Sequence, residues 1–185
     1  GLFGDIVHGE GAYIHDLRFL NFDKNGYADM WRLKENQRNG NLYPTHGLGP
    51  VCQVMNINRG DRMDYLTSVS SGDFQMRKEL EALAAEDPFY NQYTGRDYRG
   101  NMNTTVVKTS LGRTIMIQHD VTSPRPYSRI HLISGTKGIA SKWPSPARIA
   151  LGHSWIAPDE FKALEEQYTP GIVKRVGEMA KAIGG

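Results

Sequence analysis

Residues 104–134 read TTVVKTSLGRTIMIQHDVTSPRPYSRIHLIS, and this stretch decides the fold of the chain. It contains three β-rich runs, which are Thr104–Thr109, Thr114–Val121 and Arg129–Ser134. A Leu-Gly pair breaks the chain between the first two runs, and a proline-rich segment breaks it before the third. Short β-rich runs divided by turn residues are typical of an antiparallel meander. We therefore expect three neighbouring antiparallel strands in this part of the chain.

Segments on either side predict further strands and helices. Gly4–Tyr13 combines apolar residues with glycines, which predicts a strand with close backbone neighbours. Asp64–Ser70 alternates like a strand, and Lys142–Ser154 is expected to add short strands. Helices are expected over Tyr27–Arg38, Pro50–Ile57, Met76–Ala85, Ala157–Tyr168 and Thr169–Ile183. Strands and helices that segregate in this way indicate the α+β class.

Composition limits the kinds of protein this chain can be. Its 185 residues carry 22 Lys and Arg against 20 Asp and Glu, a formal charge of +2, and the scattered basic residues argue against nucleic-acid binding. No apolar run approaches the ~18 residues of a membrane span. A single cysteine, Cys52, excludes an intrachain disulfide and a thiolate zinc cluster. Six dispersed histidines predict no metal site, and we expect His119 and His131 to be hydrogen-bonded residues of the sheet.

The densest group of reactive side chains is Tyr43-Pro44-Thr45-His46. It precedes the helix predicted from Pro50, so we expect Pro44 to fix Tyr43 and His46 on a short connection that faces a cleft. Histidine, with an ordinary pKa of about 6.5, can take or give a proton at neutral pH, whereas tyrosine at about 10 is a donor unless perturbed. The structural alternative is a simple helix-entry motif.

Three other segments allow both a functional and a structural interpretation. Tyr13–Arg18 places ionisable side chains at a strand end, or contains a structural Asp16–Arg18 pair. Tyr127 lies in the proline-rich turn Pro124–Arg129, which is equally consistent with a stiff loop. Glu86–Asn103 lacks helical or strand periodicity, and we expect this long loop at the mouth of a ligand site.

Two common enzyme signatures are missing from the sequence. Gly47-Leu48-Gly49 follows a polar segment, and Pro50 removes an amide that pyrophosphate binding would need, so any nicotinamide cofactor must be held mainly outside this chain. The carboxylates are spread over helix faces and loops, and they offer no pair for the usual acid and base hydrolysis of a glycoside.

Five segments carry a resemblance to a known family: GAYIHDLR at Gly11–Arg18, MWRL at Met30–Leu33, LYPTHGLGPV at Leu42–Val51, NINRGD at Asn56–Asp61 and TSVSS at Thr67–Ser71. In these motifs the chain resembles the NAD-dependent α-N-acetylgalactosaminidase family, glycoside hydrolase family 109, within the Gfo/Idh/MocA oxidoreductase superfamily. The resemblance covers nearly the whole chain, and its specific part is the long match from Tyr43 to Val51.

The resemblance implies a fold and a domain organisation. Residues 1–185 would be the substrate-side domain of a larger enzyme, truncated at both ends, with an open, largely antiparallel sheet and helices packed on one face. An N-terminal Rossmann domain, absent from this sequence, would bind NAD. The open sheet of such domains commonly takes part in dimerisation, so a homodimer through the sheet is expected.

The resemblance also implies a reaction, the removal of terminal α-N-acetylgalactosamine from glycans. NAD oxidises the sugar at C3, elimination expels the aglycone, water adds, and hydride returns. By motif position, His46, Tyr43 and Tyr13 would be catalytic, while Arg32, Tyr43 and Tyr127 would bind the sugar. His46 would handle the C3 hydroxyl proton, and either Tyr13 or Tyr43 the C2 proton. The isolated chain is expected to be inactive, with NAD bound only by the parent enzyme.

Two other functions stay open on the sequence. The parent could be a sugar dehydrogenase of the same superfamily, in which oxidation of a ring hydroxyl is the net reaction. The isolated chain could also be a carbohydrate-binding or dimerisation module, with Trp31, Trp143 or Trp155 as stacking surfaces. The sequence is compatible with an exported bacterial protein and with a cytoplasmic one.

Overall fold

The computed structural model describes residues 1–26 and 28–184, which form seven β-strands and six α-helices. The strands are β1 (Ile6–Ile14), β2 (Met63–Ser70), β3 (Asn103–Thr109), β4 (Thr114–Asp120), β5 (His131–Gly135), β6 (Gly138–Lys142) and β7 (Arg148–Leu151). The helices are α1 (Arg18–Asn21), α2 (Trp31–Glu35), α3 (Thr45–Val54), α4 (Met76–Glu86), α5 (Pro158–Tyr168) and α6 (Gly171–Ala182), and short 3₁₀ segments cover Ala28–Met30 and Pro88–Tyr93. Within the same residues, no helix combines the length and apolar content that a membrane span requires.

All seven strands form one open sheet in the order β2-β3-β4-β1-β5-β6-β7. Every neighbouring pair is antiparallel except β1 and β4, which run parallel. Helix α3 packs on one face of the central strands, where Val51 and Met55 join Ile115 and Ile117 in an apolar cluster. The predicted α+β class, with a largely antiparallel open sheet and helices on one face, is therefore confirmed.

The predicted three-stranded meander is wrong in one respect. Strands β3 and β4 form the expected hairpin, but β1 lies between β4 and β5. Residues 121–130 carry the chain past β1, and the amide of Ala12 donates to the carbonyl of Arg129 at 2.6 Å. Ala12 and Ile14 are fully buried, so β1 is stabilised by having a neighbour on each side. Alternation of side chains identifies a strand but does not identify its neighbours.

The helix expected to start at Pro50 starts instead at Thr45, so Pro50 lies inside α3. His46 accordingly stands in the first turn of the helix and not on the connection before it. A proline inside a helix lacks the N–H that would bond the carbonyl four residues earlier. That carbonyl belongs to His46, and the Nε2 atom of His131 lies 3.3 Å from it. Because a side chain in β5 replaces the missing donor, the helix continues through Pro50.

The helix predicted over Tyr27–Arg38 is much shorter than expected. Its first residue, Tyr27, lies outside the described residues. Asp29 and Met30 adopt left-handed φ angles of 54° and 50°, which a continuous right-handed helix does not allow. The α-helical part is therefore limited to Trp31–Glu35, after a 3₁₀ turn.

The long segment Glu86–Asn103 is anchored to the core by its tyrosines, which corrects the expectation that it lines a ligand mouth. Tyr90, Tyr93 and Tyr98 are buried in an apolar cluster beside α2 and α4. The hydroxyl of Tyr90 donates to a backbone carbonyl at 2.6 Å, and that of Tyr98 donates to another at 2.7 Å. Since both polar atoms are satisfied, the aromatic rings can be buried without an unpaired hydroxyl. The segment therefore packs its tyrosines against α2 and α4.

Candidate active site

Two glycines bring the first turn of α3 against strand β1. A Cβ atom at Gly11 would lie 2.3 Å from the carbonyl oxygen of Gly47, and one at Gly47 would lie 2.6 Å from the amide nitrogen of Ala12. Both distances are shorter than any ordinary contact, so only glycine permits this approach of helix to strand. The approach confirms the prediction of a strand with close backbone neighbours. It also places the start of α3 beside the end of β1.

That approach gathers the three residues predicted to be catalytic. The ring centroids of Tyr13 and Tyr43 are 4.8 Å apart, those of Tyr13 and His46 are 5.1 Å apart, and those of Tyr43 and His46 are 4.9 Å apart. Tyr13 comes from β1, His46 from the first turn of α3, and Tyr43 from just before that helix. One imidazole therefore contacts two phenols, an arrangement that can pass a proton to or from a bound molecule.

His46 lies against the rings of Tyr13 and Tyr43 but is not itself a lining residue, whereas those two tyrosines line an open pocket with a cavity volume of about 40 Å³. Its lining residues are Tyr13, Trp31, Arg32, Glu35, Asn36, Leu42, Tyr43, His119 and Val121. The predicted binding residue Arg32 therefore lies in the same pocket as Tyr13 and Tyr43, and its guanidinium sits over the Trp31 ring at 4.6 Å. Trp31 and Tyr43 keep 39% and 38% of their surfaces exposed. A concave site with aromatic walls and a cationic group is suited to a polar ring such as a sugar.

A second aromatic group extends the site along the same edge of the sheet. The predicted binding residue Tyr127 lies 5.1 Å from the His15 ring, which in turn lies 6.1 Å from Tyr13. Trp143 lies 6.1 Å from Tyr127. Arg129 donates a hydrogen bond to the hydroxyl of Tyr127. The structure therefore places Tyr127 next to the pocket, although it is not one of the residues that line it.

The environment sets the proton state of the central groups. Burial, and after it the positive charge of Arg129, lowers the pKa of His46. Burial raises the pKa of the Tyr13 phenol, and the charges of Arg32 and Arg129 offset part of that rise. At neutral pH His46 is consequently a neutral imidazole that can accept a proton, and Tyr13 is a protonated phenol.

The sequence profile of the family described as glycosyl hydrolase 109, C-terminal domain, matches residues 1–185. The chain belongs to glycosyl hydrolase family 109. The α-N-acetylgalactosaminidase of Bacteroides fragilis is 50% identical over 171 residues, which are 90% of this chain and 39% of that protein. The α-N-acetylgalactosaminidase of Shewanella oneidensis is 44% identical over an alignment of 194 positions that covers 100% of this chain and 41% of that protein. This family 109 domain thus spans about two fifths of the length of these relatives.

The same fold occurs in a solved structure of low sequence identity. Levoglucosan dehydrogenase in complex with NADH superposes with a TM-score of 0.54 and 15% sequence identity, over 86% of this chain and 38% of that one. The family 109 domain therefore shares the fold of the aligned part of that structure. An identity this low carries no information on substrate.

The described residues that line the pocket of this family 109 domain include no pair of carboxylates. Among the described residues that line it, Glu35 is the one carboxylate. Asp16, at the end of β1, accepts two hydrogen bonds of 2.9 Å from Arg18, which also contacts Glu79 at 3.1 Å. The hydrogen bonds from Arg18 hold the pKa of Asp16 below its ordinary value. The structural interpretation of the Asp16–Arg18 pair is thereby confirmed.

For His119, which lines the pocket, the sequence predicted only a structural role. His119 is hydrogen-bonded within the fold, as expected of a sheet histidine, yet it also lines the pocket. Its register opposite Tyr13 in the parallel β1–β4 pair puts both rings on one face. A single histidine at an alternating strand position carried no signal of this contact, because the pairing of β1 with β4 is not visible in the sequence.

Proposed function

We propose that this chain is the sugar-facing part of an NAD-dependent α-N-acetylgalactosaminidase. The observation that carries the proposal is the contact of one neutral imidazole, His46, with the two phenols Tyr13 and Tyr43 beside an open pocket. Ordinary glycoside hydrolysis needs two carboxyl groups about 5 to 9.5 Å apart, and Glu35 is the one carboxylate among the described lining residues. Proton transfer by imidazole and phenol suits a route through oxidation and elimination.

His46 accepts the proton of the C3 hydroxyl in this proposal. Its lowered pKa keeps the imidazole neutral at neutral pH, so a proton can be taken up at once. Hydride transfer from C3 and back again would be the chemistry that NAD supplies when bound. His46 gives its proton back at the end of the cycle, and the sugar leaves with its hydroxyl restored.

Tyr13 and Tyr43 are the two candidates for the C2 proton. Both rings lie within 5.1 Å of His46, so both phenols stand beside the group proposed for the C3 hydroxyl, as proton transfer at the neighbouring C2 requires. Burial raises the pKa of Tyr13, and the positive charges of Arg32 and Arg129 oppose part of that rise. We propose Arg32 and Tyr127 as sugar-binding groups, because Arg32 lines the pocket and Tyr127 stands beside it.

The cofactor is proposed to be held by a part of the polypeptide outside this chain. Gly47-Leu48-Gly49 lies inside α3 against β1 and is not a phosphate-binding loop. The proton-transfer groups nevertheless fit the sugar side of nicotinamide chemistry. The relatives named as α-N-acetylgalactosaminidases are more than twice as long as this chain, which leaves room for a Rossmann domain that closes the open side of the pocket.

The uncovered face of the sheet supports a proposed homodimer. Tyr65 and Val69 on β2 share that face with Val106 on β3, and all three side chains are exposed. An apolar and aromatic sheet face in water is a common interaction surface. Sedimentation of the complete polypeptide should give a dimer that Val106→Arg dissociates. A monomeric wild type would contradict this proposal without touching the catalytic one.

The catalytic proposal is tested by running the complete polypeptide in D₂O with an aryl α-N-acetylgalactosaminide. If the C2 proton is removed and replaced, NMR of the released sugar should show deuterium at C2, with no net consumption of NAD. Release of the aglycone without deuterium at C2 would indicate direct hydrolysis. Accumulation of reduced nicotinamide without release of the aglycone would indicate the sugar dehydrogenase instead.

A variant pair assigns the role of His46. His46→Ala should lower turnover by roughly 10²-fold or more, as expected for the loss of a general acid or base. His153→Ala, at an exposed histidine that does not line the pocket, is the matched control and should keep full turnover. Near-normal turnover of His46→Ala would remove this residue from the proposed role.

A further inference from the structure

A fully buried arginine lies directly behind the pocket. Arg99 has no exposed surface, and among the described residues no carboxylate forms an ion pair with it. Its guanidinium donates to the carbonyls of Gly100 at 3.1 Å, Asn101 at 3.4 Å and His119 at 2.9 Å, and also to the Nδ1 atom of the His119 ring. Burying a charge without a direct ion pair is costly, and the charge of the buried Asp120 carboxylate offsets part of that cost. The bond to the His119 ring is the one bond in this set that joins Arg99 to another side chain.

His119 joins this buried arginine to the pocket. Its ring is stacked on that of Tyr13, with centroids 6.1 Å apart and an angle of 14° between the planes. It lines the pocket together with Tyr13 and Tyr43. Nδ1 faces Arg99, so the opposite edge of the ring carries Nε2. His119 keeps only 2% of its surface exposed, and it lines the pocket. Since the Nδ1 edge is covered by Arg99, the Nε2 edge is the one left to face the pocket.

The arginine determines which nitrogen of the ring carries the proton. A guanidinium has donors and no acceptor, so Nδ1 of His119 must offer its lone pair to Arg99. The proton of the neutral ring is then on Nε2. Burial first, and then the charges of Arg99 and Arg32, lower the pKa of His119 to about 3. The ring stays neutral throughout the physiological range, and with Nδ1 occupied it has no free lone pair for general-base catalysis.

We propose that His119 is a substrate-binding residue of this pocket, whose Nε2–H, fixed in place by Arg99, donates a hydrogen bond to an acceptor oxygen of the sugar. The inference rests on the proposed function, because it takes a sugar as the occupant of the pocket. Arg99 is a positioning residue, since it acts only through His119. Stacking with Tyr13 gives His119 a second effect, which is to hold that phenol in its orientation toward His46.

The tautomer can be measured directly in the complete polypeptide. Nitrogen NMR with ¹⁵N-histidine labelling should show one ring with a protonated Nε2 and an unprotonated Nδ1, unchanged between pH 5 and 8, and His119→Gln should remove that signal. A His119 ring that carries its proton on Nδ1, or that titrates in this range, would overturn the proposal.

Kinetics and binding test the contact with the sugar. His119→Phe keeps an aromatic ring but removes the donor, so KM for the aryl glycoside should rise about tenfold, the scale of one lost hydrogen bond, while kcat changes less. His119→Gln, which retains an N–H donor, should recover part of the loss. Ile117→Val, on the same strand and face but away from the pocket, controls for core destabilisation and should leave KM unchanged. An unchanged KM in His119→Phe would contradict the contact.

A binding experiment distinguishes failure of the His119 proposal from failure of the catalytic proposal. Calorimetric titration of the complete polypeptide with N-acetylgalactosamine measures binding without chemistry, and His119→Phe should weaken it by the same factor. If deuterium is absent from C2 but the variant still weakens sugar binding, the proposed reaction fails and the role of His119 stands. If deuterium appears at C2 but the variant binds the sugar as tightly as the wild type, the proposed reaction stands and the role of His119 fails.

Discussion

Replacing Gly11 by alanine should misplace His46 relative to Tyr13. The new Cβ would lie 2.3 Å from the carbonyl oxygen of Gly47, whereas ordinary contact begins at 3.4 Å, so helix α3 must retreat from β1 by about 1.1 Å. The obstacle is backbone, which cannot swing aside as a side chain could. A shift of about 1 Å in a catalytic group can lower turnover by about 10²-fold. Overpacking of this kind also costs about 1 to 3 kcal/mol of stability.

The assay measures the initial rate at which the complete polypeptide releases the phenol from an aryl α-N-acetylgalactosaminide. Thermal unfolding is followed by circular dichroism. Gly49→Ala is the matched control, because Gly49 lies in the same helix and nothing stands within 4 Å of its added Cβ. That control should keep wild-type turnover and gain slightly in stability, since alanine is the better helix former. Wild-type turnover in Gly11→Ala, or an equal loss in Gly49→Ala, would refute the link between this contact and the geometry of the site.

Three further predictions concern single groups. Burial and the charge of Arg129 lower the pKa of His46. We therefore expect kcat/KM to rise with pH through a pKa below 6.5 and to stay constant above it. A pH–rate profile that rises through a pKa at or above 6.5 would contradict this. Tyr98→Phe removes a buried hydroxyl that donates at 2.7 Å and should cost about 1 kcal/mol in urea unfolding, whereas Tyr168→Phe at an exposed site should cost nothing. Burial favours a higher pKa for Asp61, but hydrogen bonds outweigh it and lower the pKa. Its stabilisation should therefore be present at neutral pH and disappear as pH falls below about 4, and Asp61→Asn should flatten that decline.

Only part of the candidate site could be predicted from the sequence. Tyr43 and His46 form one short motif, and the glycines and ionisable residues around Tyr13 marked a second segment. That these segments meet follows from the mutual fit of Gly11 and Gly47, which are far apart in the chain. His119 and Arg99 gave no such signal, because their importance arises from a contact with each other and with Tyr13.

Local patterns in the sequence determined most of the elements: the β3–β4 hairpin, the strands β1 and β2, and the helices α4, α5 and α6. Such elements follow from alternation, helical periodicity and turn residues within a few positions. Tertiary structure decided the insertion of β1 between β4 and β5, the continuation of α3 through Pro50, and the fixed tautomer of His119. The last two depend on partners 85 and 20 residues apart, His131 with His46 and Arg99 with His119. A donor supplied from a distant strand, or a charge buried against one ring nitrogen, exists only once the chain has folded.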